Sequence, residues 1–321
     1  MNLEPNYPSL LLSWIALIGG LVLLTAGGEF LVSGAGKLAK RLGMSSLLIG
    51  LTVVAFGTSM PELFVGLMAL FQNHPDILTG NVIGSNIANV GLILGICAII
   101  TPLPVRFKSV SRELYIVLAA TLVVFIVAWH GSFPRFLGFV FVAFLIFFTV
   151  QSFRQEARNK TSTRLEPGGD NTNELSSLPS IILVTIIGLG CLPLGSNFFI
   201  KGAVDIALHF GVSELVIGLT LAAVGTSLPE LASCLAAIRQ RQTKILVGNI
   251  IGSNLFNLLM VLGFCGLLAP FPMSSSLLFR DIPIMFSLSA VLLPILAVQQ
   301  GLNRLHGFIL LLSYICYLLI L

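Results

Sequence analysis

Two glutamates, Glu62 and Glu230, stand 168 residues apart in nearly identical surroundings. Each closes a short polar run, GTSMPE at 57–62 and GTSLPE at 225–230, and each lies about twenty residues inside an otherwise apolar stretch. An ionised carboxylate at bilayer depth is unfavourable by roughly 3 kcal/mol on insertion scales, so a retained pair calls for something that neutralises it. The prolines before them, Pro61 and Pro229, lack an N–H and clash with the carbonyl four residues back. Together with Gly-Thr-Ser they are expected to unwind the helix and turn carbonyls around 55–59 and 223–227 sideways. Backbone of that kind is tolerated at membrane depth only when it is buried in protein or lines a cavity. Carboxylate, carbonyl and hydroxyl oxygens together make a shell for a hard cation, and Ca2+ takes roughly six to eight oxygens. No Cys or His lies in the run, which argues against Zn2+ or Cu+.

A second duplicated block, GNVIGSNIAN at 80–89 and GNIIGSNLFN at 248–257, supplies further polar groups. On a helix Ser85 and Asn89 are i, i+4 and share a face, as do Ser253 and Asn257. Asn81, Asn86, Asn249 and Asn254 read as interhelical hydrogen-bond glue in preference to direct ligands. The glycines between them resemble a phosphate cradle only in composition, because the P-loop lysine and its spacing are missing. Glu29 has the neutral Asn197 as its counterpart 168 residues on and is expected either to line an entry path or to sit near the cytoplasmic interface. The four histidines fall at span ends and receive no site role. The five cysteines are scattered through apolar stretches and read as small core hydrophobes without disulfide or metal-ligand spacing.

The elements that must hold these residues are membrane helices. Of 321 residues 56% are hydrophobic and 9% charged, against about 25% charged in soluble domains, which excludes an ordinary soluble fold. A span needs roughly 20 apolar residues. Ten such runs are read at 9–31, 43–70, 78–101, 112–130, 133–153, 179–200, 211–237, 245–269, 276–298 and 302–321. The first carries Glu4 and no basic residue ahead of it and is too long for a secretory signal. With this count 14 of the 17 Lys and Arg residues fall on one side, which the positive-inside rule makes cytoplasmic. Both termini are then extracytoplasmic. The polar stretch at 154–178 is a cytoplasmic linker between a first five-helix repeat at 1–153 and a second at 179–321.

Without gaps, 43–95 aligns with 211–263 at 28 identical positions of 53. Five spans per half is an odd number, so equivalent helices cross in opposite directions. The expected fold is an all-α membrane protein of ten transmembrane helices in two inverted-topology repeats, with a binding site near the midplane where the repeats meet.

The duplicated motifs GTSMPE, GNVIGSN, GTSLPE and GNIIGSN resemble those of the cation/Ca2+ exchanger superfamily, and within it the prokaryotic sodium/calcium exchangers. The resemblance implies a core of spans 2, 3, 7 and 8 across which spans 1 and 6 slide. It implies Glu62 and Glu230 as central carboxylates shared by Ca2+ and Na+, and the carbonyls of Thr58 and Thr226 as further Ca2+ ligands. It assigns the carbonyls of Ala55 and Ala223 and the hydroxyls of Ser59, Ser227, Ser85 and Ser253 to flanking Na+ sites. Asn89 and Asn257 match the remaining polar pair. Many sodium/calcium exchangers carry Asp at the position of Asn257, so the neutral amide keeps proton or K+ coupling in play.

The function expected is secondary antiport of Ca2+ against Na+ by alternating access in the inner (plasma) membrane. A cation/proton or K+-coupled exchanger using the same site is the alternative. No cofactor is expected beyond the transported ions, and no nucleic acid partner. The bilayer is the surrounding partner, and a monomer is compatible with the sequence. An intramembrane protease using Ser59 or Ser227 lacks a base within reach, so the chain is not expected to be an enzyme. A non-transporting receptor would leave the duplicated polar groups without a use.

Overall fold

A computed structural model describes residues 5–163, 177–212, 225–274 and 277–320. Helices α1 (Leu10–Leu42), α2 (Ser46–Phe71), α3 (Pro75–Ile100), α4 (Phe107–Trp129) and α5 (Arg135–Thr163) make up the first half. The second contains α6 (Leu178–His209), α7 (Leu228–Arg239), α8 (Thr243–Leu268), α9 (Leu277–Gln299) and α10 (Arg304–Ile320). Among the described residues eight of these helices are long and apolar enough to cross a membrane, while α10 is a shorter apolar helix. The run expected at 211–237 is described only at 211–212 and from residue 225, and most of the expected linker lies outside the described residues. Its first ten residues, expected as linker, instead prolong α5 as helix to Thr163.

The layers follow from burial. The most apolar stretch of α8 is wholly buried, that of α3 is 72% and that of α2 61%, whereas α1 and α6 show 22% and 28%. Helices α2, α3 and α8 are therefore the centre and α1 and α6 a lipid-facing pair. In lipid no hydrophobic force drives helices together, so close packing depends on small residues. Glycines recur every seven residues on α1 (Gly20, Gly27, Gly34) and on α6 (Gly188, Gly195, Gly202). A Cβ at any of them would run into the opposite helix, for example 2.5 Å from Leu31 N at Gly188 and 2.7 Å from Leu24 N at Gly195. The same device seats α8 on α2, where Gly248 and Gly252 face the carbonyls of Leu47 and Leu51.

Two short ladders fasten the halves together. Strand β1 (Leu103–Pro104) pairs antiparallel with β4 (Gly301–Leu302), and β2 (Ser132–Phe133) pairs with β3 (Phe271–Pro272). Phe133 stacks on Phe271 with ring centroids 5.0 Å apart. Each ladder ties one connection of the first half to one of the second.

Candidate functional site

Helix α2 is interrupted at Ser59 (φ −83°, ψ 1°), and the matching turn before α7 sits at Ser227 (φ −87°, ψ 2°). Pro61 and Pro229 then occupy the first turn of the helix that follows. There the missing N–H costs nothing, because first-turn amides have no intrahelical acceptor anyway. The prolines thus start half-helices; they do not kink continuous ones. Glu62 and Glu230 fall in those same first turns, where exposed amides and the helix dipole favour negative charge. The carbonyls expected to swing free are partly engaged: Ala55 O accepts Ser59 N at 3.0 Å, and Gly225 O accepts Ser196 Oγ at 2.7 Å. The Ala223 carbonyl lies outside the described residues.

Both glutamates have no exposed surface. They lie close enough to repel each other. Glu62 faces its own amide and the hydroxyls of Thr226 and Ser85, and Glu230 faces its own amide and the Thr58 hydroxyl, but none of these contacts closes into a hydrogen bond. Among the described residues all four carboxylate oxygens are therefore without a hydrogen-bond partner. Ser59 Oγ and Ser227 Oγ, Asn89 Oδ1, and both amide atoms of Asn257 share that condition. Buried polar groups are normally paired, and the exceptions ask for a cause. Those of the two glutamates, Ser59 and Ser227 gather around the two helix starts, where oxygens of this kind can bind a hard cation.

Two matching brackets of hydrogen bonds surround the carboxylates. Thr58 Oγ1 donates to Asn249 Oδ1 at 3.1 Å and stands 3.2 Å from Ser253 Oγ. Across the centre, Thr226 Oγ1 donates to Asn81 Oδ1 at 3.3 Å and stands 3.3 Å from Ser85 Oγ. Each threonine is held by a Ser and an Asn of the other half, so the duplicated blocks interlock. Asn81 Nδ2 continues to the Glu62 carbonyl at 3.2 Å. Asn249 Nδ2 donates instead to Ser233 Oγ at 2.9 Å, which donates to the Glu230 carbonyl, also at 2.9 Å. Asn89 Nδ2 donates to Asn254 Oδ1 at 3.0 Å, whereas Asn86 bonds Val82 O within its own helix. Asn81, Asn249 and Asn254 do act as interhelical glue.

Asn89 and Asn257 each open a π-helical segment, Asn89–Leu94 and Asn257–Val261, and α2 carries a third at Gly50–Val54. Short π segments often mark functional sites. No local motif in the sequence announces them. Ser233 was also missed: it is buried one turn past Glu230, and beside it Cys234, buried as expected of a core cysteine, has its Sγ 3.7 Å from Asn249 Nδ2. Cys97 and Cys265 are buried as expected, but Cys316 is exposed.

Among the described residues no group of three or more His, Cys, Asp or Glu side chains converges. The site is thus two carboxylates among neutral oxygens, a donor set matched to hard cations such as Na+ and Ca2+. Glu29 is elsewhere. Its Oε1 lies 3.2 Å from Arg239 Nε, and Gln240 Nε2 donates to its Oε2 at 2.6 Å and to its backbone carbonyl at 3.0 Å.

Comparison with known proteins places the chain in a family. Residues 12–154 and 180–321 match the family model described as sodium/calcium exchanger protein. The putative antiporter CaxA of Alkalimonas amylolytica is 35% identical over 96% of this chain and 98% of its own. The sodium/calcium exchanger MaX1 of Methanosarcina acetivorans is 32% identical over the same shares. The solved structure of the sodium-calcium exchanger NCX_Mj soaked with 2.5 mM Na+ and 10 mM Sr2+ superposes with a TM-score of 0.83 at 30% identity, covering 98% of this chain and all of that one. Two family-matched halves, near-complete coverage and a shared all-helical membrane fold leave one assignment: the chain belongs to the sodium/calcium exchanger family.

Proposed function

We propose that the protein is an antiporter that exchanges Ca2+ for Na+ by alternating access, with both ions competing for the site around Glu62 and Glu230. The observation that carries this reading is the set of four unpartnered carboxylate oxygens, sealed from solvent and ringed by hydroxyls and amides. One Ca2+ or several Na+ neutralise the pair. A core loaded with either can reorient, while a core bearing bare charge is held back by the cost of exposing it to an apolar path. The ligand set comprises Thr58, Thr226, Ser59, Ser227, Ser85, Ser253, Asn89, Asn257 and the carbonyls of Ala55 and Ala223 with the two glutamates. The brackets through Thr58 and Thr226 support two inverted five-helix repeats. The ladders support the orientation too: β1 with β4 and β2 with β3 join only connections that the basic residues assign to one face. On that orientation both termini are extracytoplasmic and the membrane is the cell's inner membrane.

The test is radiolabelled Ca2+ uptake into inverted vesicles under gradients of Na+, K+ and H+ imposed one at a time. The Na+ gradient alone drives uptake, and Glu62→Gln or Glu230→Gln abolishes it. Near-normal transport in either variant overturns the site. Uptake that follows only a proton or K+ gradient replaces Na+ as the coupling ion and leaves the site in place.

A further inference from the structure

At the ends of α2, α4, α5 and α8 lies a cavity of about 850 Å3, remote from the glutamates. Arg112 anchors its wall: the guanidinium pairs with Glu113 at 3.0 Å, donates to Ser152 Oγ at 2.7 Å and Gln155 Oε1 at 2.9 Å, and lies 4.9 Å over the Phe148 ring. Glu156, the other acid, accepts the Ser45 amide at 2.8 Å. Arg106, Lys108 and Lys244 also line the cavity, and among the described residues their side chains have neither an ion pair nor a hydrogen bond.

The equivalent cavity at the opposite ends of the helices shows what is unusual here. It measures about 670 Å3 and reaches the ion site at Asn81, Ser85 and Thr226. Adding 168 turns Arg112 and Glu113 into Arg280 and Asp281, again an ion pair, at 3.1 Å. The same shift matches Lys244 to Asp76 and Arg106 to Ser274, both of which line the second cavity. The architecture is duplicated while the charge is reversed. An acidic wall suits the approach of cations, and a wall of unpaired cations repels them, so the basic cavity needs an occupant of the opposite sign.

We propose that this cavity binds a phosphate-bearing anion, supplied by the headgroup of an acidic phospholipid or by free phosphate. Its volume suits a headgroup-sized ligand, and clustered Lys and Arg at the cytoplasmic surface attract acidic lipid. Helices α4 and α5, which flank it, expose Tyr115, Phe147 and Val150, an apolar flank along which acyl chains can lie. The assignment to the cytoplasmic leaflet rests on the orientation proposed above; binding itself does not.

The purified full-length protein is titrated in detergent with phosphatidylglycerol, phosphatidylcholine and inorganic phosphate, and bound ligand is counted by native mass spectrometry. Phosphatidylglycerol is retained over phosphatidylcholine, and an Arg106→Gln, Lys108→Gln, Lys244→Gln triple variant weakens it on the order of 100-fold, about tenfold or less per charge. Arg135→Gln, on the other face, changes nothing. Competition by millimolar phosphate alone identifies the soluble anion as the source, and its absence identifies the lipid. Equal retention of both lipids with no phosphate binding, or undiminished binding by the triple variant, overturns the proposal. The triple variant still takes up Ca2+ in phosphatidylcholine vesicles, so failed antiport and a failed anion site give separate results.

Discussion

Glu29 on α1 is tied to Arg239 at the end of α7 by a 3.2 Å ion pair, and Gln240 reinforces it from the same turn. The pair joins the glycine-packed α1 and α6 to the helix that carries Glu230. Arg239 is two-thirds exposed, and an exposed pair stabilises by roughly 0–1 kcal/mol. Glu29→Gln is expected to shift the balance between arrangements of α1 and α7 by up to about fivefold. Spin labels at the two helix ends read this as a broader distance distribution; superimposable distributions in variant and parent refute it.

Thr58→Val removes the hydroxyl that brackets Asn249 and Ser253 and leaves Asn249 Oδ1 and Ser253 Oγ, both buried, only their long mutual contact of 3.5 Å. A buried polar group left unpaired costs about 1–3 kcal/mol, so the thermal midpoint falls. Thr58→Ser keeps the hydroxyl and restores most of the loss. Thr226→Val is milder, because Thr226 and Asn81 are only half-buried.

Asn257→Leu acts in the opposite direction. Among the described residues both amide atoms of Asn257 are buried without a partner, so an apolar side chain of similar size raises stability in ion-free buffer by about 1–3 kcal/mol, read as a higher midpoint. The stabilisation gained on adding Ca2+ or Na+ shrinks at the same time, since a ligand that binds only the folded state stabilises in proportion to its affinity. A lower ion-free midpoint would show that Asn257 is structural.

Gly188→Ala and Gly190→Ala form a matched pair on one helix. A Cβ at Gly188 meets the α1 backbone at Leu31 N and Gly27 O, and backbone cannot yield, whereas a Cβ at Gly190 meets nothing described within 4 Å. The first is expected to destabilise by about 1–3 kcal/mol through overpacking. The second is neutral or slightly stabilising, because alanine is the better helix former. Equal midpoints for the two variants would refute close α1–α6 packing.

The candidate site was legible because polar residues are conspicuous in an apolar chain, and duplication marks Glu62 and Glu230 out from the other acids. The family resemblance reached the fold by the same motifs. What the sequence concealed depends on register between helices. Pro61 reads as a kink until the break at Ser59 places it in a first turn. The sevenfold spacing of Gly20, Gly27 and Gly34, and of Gly188, Gly195 and Gly202, was visible in principle as a small-residue stripe. Its partner helix was not. The Arg112 and Arg280 pairs match across 168 residues, yet they lie outside the strongly similar blocks and gain meaning only from the two cavities. Glu29 had no identifiable partner, because Arg239 is 210 positions away in sequence.

The complete burial of α8 bears on how the chain is made. In the finished protein α8 touches α2, α3, α4 and α5, all synthesised before it, and its most apolar stretch meets no lipid. In the folded chain α8 therefore fills a space lined largely by helices that precede it in sequence. Truncation after α5 would leave that space open to the bilayer, with Thr58 exposed at its wall.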